Sequence, residues 1–187
     1  MDISENMMEY YGLSENQLAI AMNSFTPENL PSKHFFLKED EVSDKIGFVK
    51  SGLLRAFFYN GNADEITTSF YPSGSLIISF DSFNNQTPSK ENIVAVDDSE
   101  LLVITYQKQQ QLYQKVPVWN QMCRDIADKK SEDSKNRAVQ LQTLTAKERY
   151  QQFCKEYPEV IQKCPLRHVA SYLGIDNATL SRIRRKI

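Results

Sequence analysis

Apolar residues follow one rhythm in the middle of the chain and another at its two ends. Near the start, Leu13, Leu18, Ala21, Met22 and Phe25 are spaced like one face of a helix, so residues 1–30 are expected to be partly helical. Residues 29–33, which include Pro31, read as a break. Residues 35–37, 46–49, 53–59, 66–71, 76–80, 93–96 and 101–106 are short runs rich in Val, Ile, Phe and Tyr. Turn signals separate them at Ser51-Gly52, Asn60-Gly61-Asn62, Pro72-Ser73-Gly74 and Asp97-Asp98-Ser99. Strands this short and regular predict a β-sandwich, a jelly roll or a small barrel, because a flat open sheet leaves more unpaired edge.

Helical spacing returns after residue 106. Residues 107–115 are polar and predict a short helix. Pro117 suits the first turn of a longer helix over 118–141, because proline lacks only an amide that is unpaired there anyway. Trp119, Met122 and Ile126 begin an apolar stripe that Leu141 and Leu144 resume, with a charged stretch at 129–137 between them. Such a stripe packs on its own domain or pairs with a copy of itself. Thr145 and Glu148 form a capping box opening a helix with Tyr150, Phe153 and Cys154 on one face. Tyr157-Pro158 ends it, and a turn or short helix follows at 159–163.

The last stretch predicts two short helices, 166–173 and 177–186. Gly174 permits the left-handed residue of a sharp helix stop, and Asp176 can cap the second helix. Val169, Leu173, Ile175, Leu180 and Ile183 would share one small core, with the small Ala170 at the crossing. The free face of the second helix offers Asn177, Thr179, Ser181, Arg182, Arg184, Arg185 and Lys186, donors able to reach phosphates and base edges. The pattern is a helix-turn-helix, whose second helix enters a DNA major groove. A helical hairpin with a solvated basic face is the rival reading, but the small residue, turn glycine and apolar offsets together favour the motif.

Charge sharpens this reading. The formal net charge of the 187 residues is only −2. Yet from Lys163 onward the cations Lys163, Arg167, Arg182, Arg184, Arg185 and Lys186 face the single acid Asp176. A local polyanion site on an otherwise acidic body is implied, not a generally basic nucleic-acid binder. No apolar run reaches the ~18 residues of a membrane span, and the acidic start lacks a signal-peptide pattern. Cys123, Cys154 and Cys164 form no C-x-x-C pair, which suits a reduced cytoplasmic protein with buried thiols. His34 and His168 stand apart, so neither a metal site nor a cofactor is expected.

Strands, a long helix, a capped helix and a terminal helix-turn-helix, in this order, resemble the Crp/Fnr family of bacterial transcription regulators. Phe36-Leu-Lys-Glu-Asp-Glu-Val42 and Gly47-Phe-Val-Lys-Ser-Gly-Leu-Leu-Arg55 are similar to its opening hairpins, and Tyr71-Pro-Ser-Gly74 to its central turn. Leu144-Thr-Ala-Lys-Glu-Arg-Tyr150 and the terminal motif match best. The resemblance implies an α+β fold: an N-terminal β-roll (a double-stranded jelly roll) over 1–116, a dimerisation helix over 117–143 and a helix-turn-helix domain over 144–187. The sequence ends after the second helix, so the family's β-hairpin wing is expected to be lacking.

The resemblance also implies roles. Trp119, Met122 and Ile126 would lie in the dimer helix. Two copies would place their second helices on a palindromic duplex, with RNA polymerase a further partner. Arg182 matches the family's guanine-reading position, and Thr179 and Arg167 match backbone-contacting ones. Asn177 and Ala178 hold the other base-reading positions. Ser181, Arg184 and Arg185 are candidates from face geometry. In nucleotide-binding members a Gly-Glu pair and an Arg-Ser or Arg-Thr pair hold the ribose and cyclic phosphate. Here Ile78-Ser79 and Ser89-Lys90 stand at those places, so tight cyclic-AMP binding is not expected, and the effector is another small molecule or none. Three cysteines outside the roll do not supply the four thiolates of an iron–sulfur cluster. A β-roll adaptor with a vestigial DNA module is the alternative of another class. No nucleophile–base pair or phosphate loop points to an enzyme.

Overall fold

The computed structural model describes residues 11–186. In chain order the elements are α1 (Glu15–Ser24), β1 (Thr26–Leu30), β2 (Phe35–Leu37), β3 (Lys45–Ser51), β4 (Leu53–Tyr59), β5 (Glu65–Pro72) and β6 (Leu76–Ile77). They continue with α2 (Phe80–Asn85), β7 (Asn92–Ala95), β8 (Ser99–Thr105), α3 (Tyr106–Lys115) and the long α4 (Pro117–Thr143). The chain then forms α5 (Ala146–Glu156), α6 (Pro158–Lys163), α7 (Leu166–Leu173) and α8 (Asn177–Arg184). The part of the expected first helix that falls in residues 1–10 lies outside the described residues.

The strands form two four-stranded antiparallel sheets, in the orders β1-β8-β3-β6 and β2-β7-β4-β5. Leu37, Leu54, Ala56, Ile93, Leu101 and Val103 are among the residues packed between them. This is the expected roll. At the β3–β4 turn Gly52 has φ +102° and its missing side chain leaves room for Ser99, a turn most residues could not make. Two predicted boundaries are corrected. Residues 26–30 are not a helix end and a break but strand β1, paired with β8. Its Pro27 is tolerated because the strand lies at the sheet edge. The run at 76–80 stops pairing at Ile77, and α2 begins at Phe80.

A second core joins α1, α3 and the start of α4 to the outer face of the roll. It contains Ala21, Ile46, Ile104, Leu112, Trp119 and Met122. Trp119 is 1% and Met122 3% exposed; the indole Nε1 donates to Gln109 Oε1 at 3.2 Å, and the ring meets Phe25 edge-on. Of the two uses the spacing left open, this part of the stripe takes the first and packs on its own protomer. Ile126 is half-buried and packs against the same core. Leu141, read as resuming the stripe, is 41% exposed.

The third core holds the helix-turn-helix. Tyr150, Phe153, Val160, Val169, Ala170, Leu173 and Leu180 are buried together with Leu53 and Phe70 of the roll, and Ile175 and Ile183 pack at the margin. The C-terminal helices thus share a core with β4 and β5. This explains why Leu53, Leu54, Arg55, Ala56 and Phe57 are all buried: an antiparallel strand with one wet face would alternate. Of the cysteines only Cys164 is buried, while Cys123 and Cys154 are half-exposed, which corrects the expectation of three buried thiols. No helix among the described residues is long and apolar enough to cross a membrane.

Candidate functional site

The helix-turn-helix forms as its residues dictate. Gly174 ends α7 at φ 64° and its amide bonds back to Ala170 and Ser171. Asp176 caps α8, with Oδ1 accepting from the Thr179 amide at 2.7 Å. Leu180 turns into the core, fully buried. The opposite face stays open: Asn177, Ala178, Arg182, Arg184, Arg185 and Lys186 are exposed, and Thr179 and Ser181 half-buried. Arg167, on α7, is also exposed, with Nε 3.3 Å from His168 Nε2.

Two of these side chains are already organised. Thr179 Oγ1 donates to Asp176 Oδ2 at 2.7 Å and accepts from Arg182 Nη2 at 2.9 Å. The chain Asp176–Thr179–Arg182 holds the guanidinium along the helix surface, and bonds to Thr179 together with the Arg182 charge hold the Asp176 carboxyl below the usual range. Thr179 thus serves the cap and Arg182 in the free protein, a use the sequence reading missed.

The face of α7 away from α8 is closed by the roll. β5 is the edge strand of its sheet, and Ser171 Oγ accepts from the Thr67 amide at 2.9 Å while donating to the Glu65 carbonyl at 2.9 Å. Arg137, from α4, donates to the carbonyls of Thr68 (3.1 Å) and Thr67 (3.3 Å) and to that of Tyr172 in α7 (2.8 Å). Its guanidinium stacks on the Tyr172 ring, 4.1 Å from the centroid. Close by, the buried Arg55 pairs with Glu65 and donates to Thr67 Oγ1. His168 Nδ1 lies 3.6 Å from the same Glu65 carboxylate. Burial first, then Arg55 and Arg167, push the His168 ring down to about 4, so at neutral pH this is a polar contact of an uncharged ring, not an ion pair. His168 is 12% exposed at its side chain, which corrects the choice between a phosphate contact and a surface residue.

The effector-pocket candidates do come together. Ile78, Ser79, Ser89 and Lys90 all line one cleft of about 610 Å³ between β5, the α2 region and α4. Ser79 and Ser89 are buried with their hydroxyls 3.4 Å apart, and Lys90 is exposed. The sequence reading missed the opposite wall, where Lys130 and Arg137 of α4 face Ser69 and Tyr71 of β5. Among the described residues no cluster of His, Cys, Asp and Glu could hold a metal.

A roll with hydroxyls lining a cleft, a long helix along it and a terminal helix-turn-helix define a class of fold: a β-roll joined by a long helix to a helix-turn-helix module. Residues 27–116 match the cyclic nucleotide-binding domain family, and the solved structures similar to the chain include one described as a putative transcriptional regulator of the Crp/Fnr family. The catabolite activator protein of Thermus thermophilus superposes with TM-score 0.61 at 17% identity, covering 95% of this chain and 84% of that one. FixK2 of Bradyrhizobium japonicum gives 0.74 at 16%, covering 87% and 83%. CLP of Xanthomonas campestris, described as a c-di-GMP-responsive global regulator, gives 0.68 at 16%, covering 92% and 91%. No curated protein sequence matches the chain. At these identities the likeness is one of fold: a cyclic nucleotide-binding-type roll followed by the helices of a Crp/Fnr-like regulator.

Proposed function

We propose that this chain is a homodimeric, sequence-specific DNA-binding transcription regulator whose roll is its effector domain. The division follows the elements: 1–116 as effector roll, 117–143 as pairing helix, 144–187 as DNA reader. The observation that carries the reading is α8: one face is sealed in a core, while Asn177, Arg182, Arg184 and Arg185 lie exposed on the other. Arg182 would meet a guanine with its fork of donors, and Arg167, Ser181, Arg184 and Arg185 would meet phosphates. Thr179 positions Arg182. The outer half of α4, where most residues from Asp128 to Thr143 are exposed, is the surface left for a second copy. Such a pair would span half-sites about 34 Å apart, with RNA polymerase as the partner of the bound complex.

Selection from a random duplex pool tests this. A palindrome and a steep loss of affinity with salt are expected. Arg182→Ala should cost about 1–3 kcal/mol at one base pair per half-site and leave other positions alone. Equal loss on every sequence, or no selected sequence at all, refutes the reading.

A further inference from the structure

We infer that the cleft beside α4 takes a small organic monoanion, a carboxylate on an apolar body, with Lys130 as its counter-ion. The inference rests on reading the roll as an effector domain and names the class of effector.

The first observation is an unmatched cation. Lys130 Nζ donates to Ser69 Oγ at 3.1 Å and lies 5.4 Å from the centre of the Tyr71 ring. Both partners are neutral, and an ammonium has three donors. Other lysines that lie against the body find carboxylates: Lys45 reaches Glu28 and Lys163 reaches Glu159, each at 2.8 Å. Among the described residues Lys130 has no carboxylate within 4.0 Å; Asp133 and Glu91 act on it only at longer range. Burial lowers its pKa all the same, as expected for a charge placed where water is scarce without a partner.

The second observation is what surrounds the cation. Phe58, Tyr71, Ile78 and Phe80 supply an apolar lining to the same cleft. Phe58 is 38% exposed, surface that a ligand's body would cover. The volume, about 610 Å³, lies within the ~300–1,000 Å³ range of small-molecule sites.

The third is a charge balance. Of the cations lining the cleft, Arg137 is spent on three backbone carbonyls and Lys90 is exposed. Of the acids, Asp81 accepts from Asn85 and Glu91 from Thr68 Oγ1. Lys90, Lys130 and Arg137 against Asp81 and Glu91 leave the lining with one positive charge in excess, which suits one negative charge. A single ammonium is a point donor, whereas a phosphate ester is better met by the paired donors of an arginine.

The test is calorimetric titration of the full chain with 3-phenylpropanoate, its uncharged amide, phenyl phosphate and cyclic AMP. The carboxylate is expected to bind at least tenfold more tightly than the amide, and more tightly than either phosphate. Lys130→Gln should lose at least tenfold of the carboxylate affinity while its melting temperature does not fall, because the variant no longer buries a charge. Lys50→Gln, at an exposed position of β3 outside the cleft, should stay within twofold of the parent. Amide and acid binding alike, a phosphate binding best, or undiminished binding by Lys130→Gln overturns the assignment, as does no carboxylate binding up to about 10 mM, beyond the range of specific small-ligand affinity. No DNA is present, so failure here leaves the duplex selection standing, and failure of that selection does not touch this result.

Discussion

Arg137 ties the helix-turn-helix to the roll by bridging β5 and α7, and Arg137→Met tests it. The substitution keeps the length and apolar stem of the side chain and removes the guanidinium. Lost are the hydrogen bonds to the carbonyls of Thr67, Thr68 and Tyr172 and the stacking on the Tyr172 ring. A hydrogen bond to a charged group contributes about 1.5–3 kcal/mol. The three here share two nitrogens, and Arg137 is half-buried, so water can satisfy part of what is left. Burial of the cation, which lowers its pKa, offsets a further part. A net loss of about 2–4 kcal/mol is expected. Arg137→Lys, which can restore one bond but not the fork, should recover about 1 kcal/mol of it. Urea unfolding followed by the fluorescence of the single tryptophan, Trp119, and by helical dichroism gives both numbers. Trp119 sits in the roll-side core, so dichroism falling ahead of fluorescence in the variant would show the helix-turn-helix detaching first. A midpoint shift worth under about 0.5 kcal/mol, or full rescue by lysine, refutes the role given to Arg137.

Other consequences follow from the same seam and its turn. His168 is held at about 4 when folded against an ordinary 6.5; as pH falls from 6.5 the unfolded chain takes the proton first, so stability declines between pH 6.5 and 4 and levels off below. The loss is at most about 3 kcal/mol, and His168→Gln should flatten that part of the urea-midpoint profile; an unchanged profile argues against it. Ser171→Ala strands the Thr67 amide at the β5 edge and should cost about 1–3 kcal/mol by thermal or urea melts; a neutral result means water takes its place. Gly174→Ala must adopt φ +64°, with its new carbon 3.1 Å from the mobile end of Leu141, and is expected to cost about 1–2 kcal/mol. Gly174→Asn should cost less, and the comparison of the two melting temperatures checks that backbone conformation, not crowding, sets the penalty. Trp119→Phe leaves Gln109 Oε1 without its donor inside a core where Gln109 is 1% exposed, and a loss of about 2–3 kcal/mol is expected in the same melts.

What could be read from residues alone was whatever depends on neighbours in sequence. The α7–turn–α8 unit was legible because Gly174, Asp176 and the apolar offsets act within one or two turns of each other. The capping box at Thr145 and Glu148 formed for the same reason. Strands β4 and β7 announced themselves by β-branched and aromatic runs, whereas β1 did not, since Thr26–Leu30 is a strand by virtue of pairing with β8, more than sixty residues away. The most instructive misreading concerns α4. The charged stretch at 129–137 looked like a lapse in an apolar stripe, yet Ile126, Lys130 and Arg137 continue at helical spacing along the face begun by Trp119 and Met122. The stripe does not stop; its chemistry changes where the helix passes from a dry core to the cleft and then to the bare carbonyls of an edge strand. A polar residue at a core-facing period therefore carried the same directional information as an apolar one. What hid Lys130 and Arg137 was the assumption that only apolar side chains mark the inner face, when an inward-facing cation needs only an acceptor to meet it: the Thr67, Thr68 and Tyr172 carbonyls for Arg137, and for Lys130 the Ser69 hydroxyl oxygen, which leaves the ammonium with donors to spare.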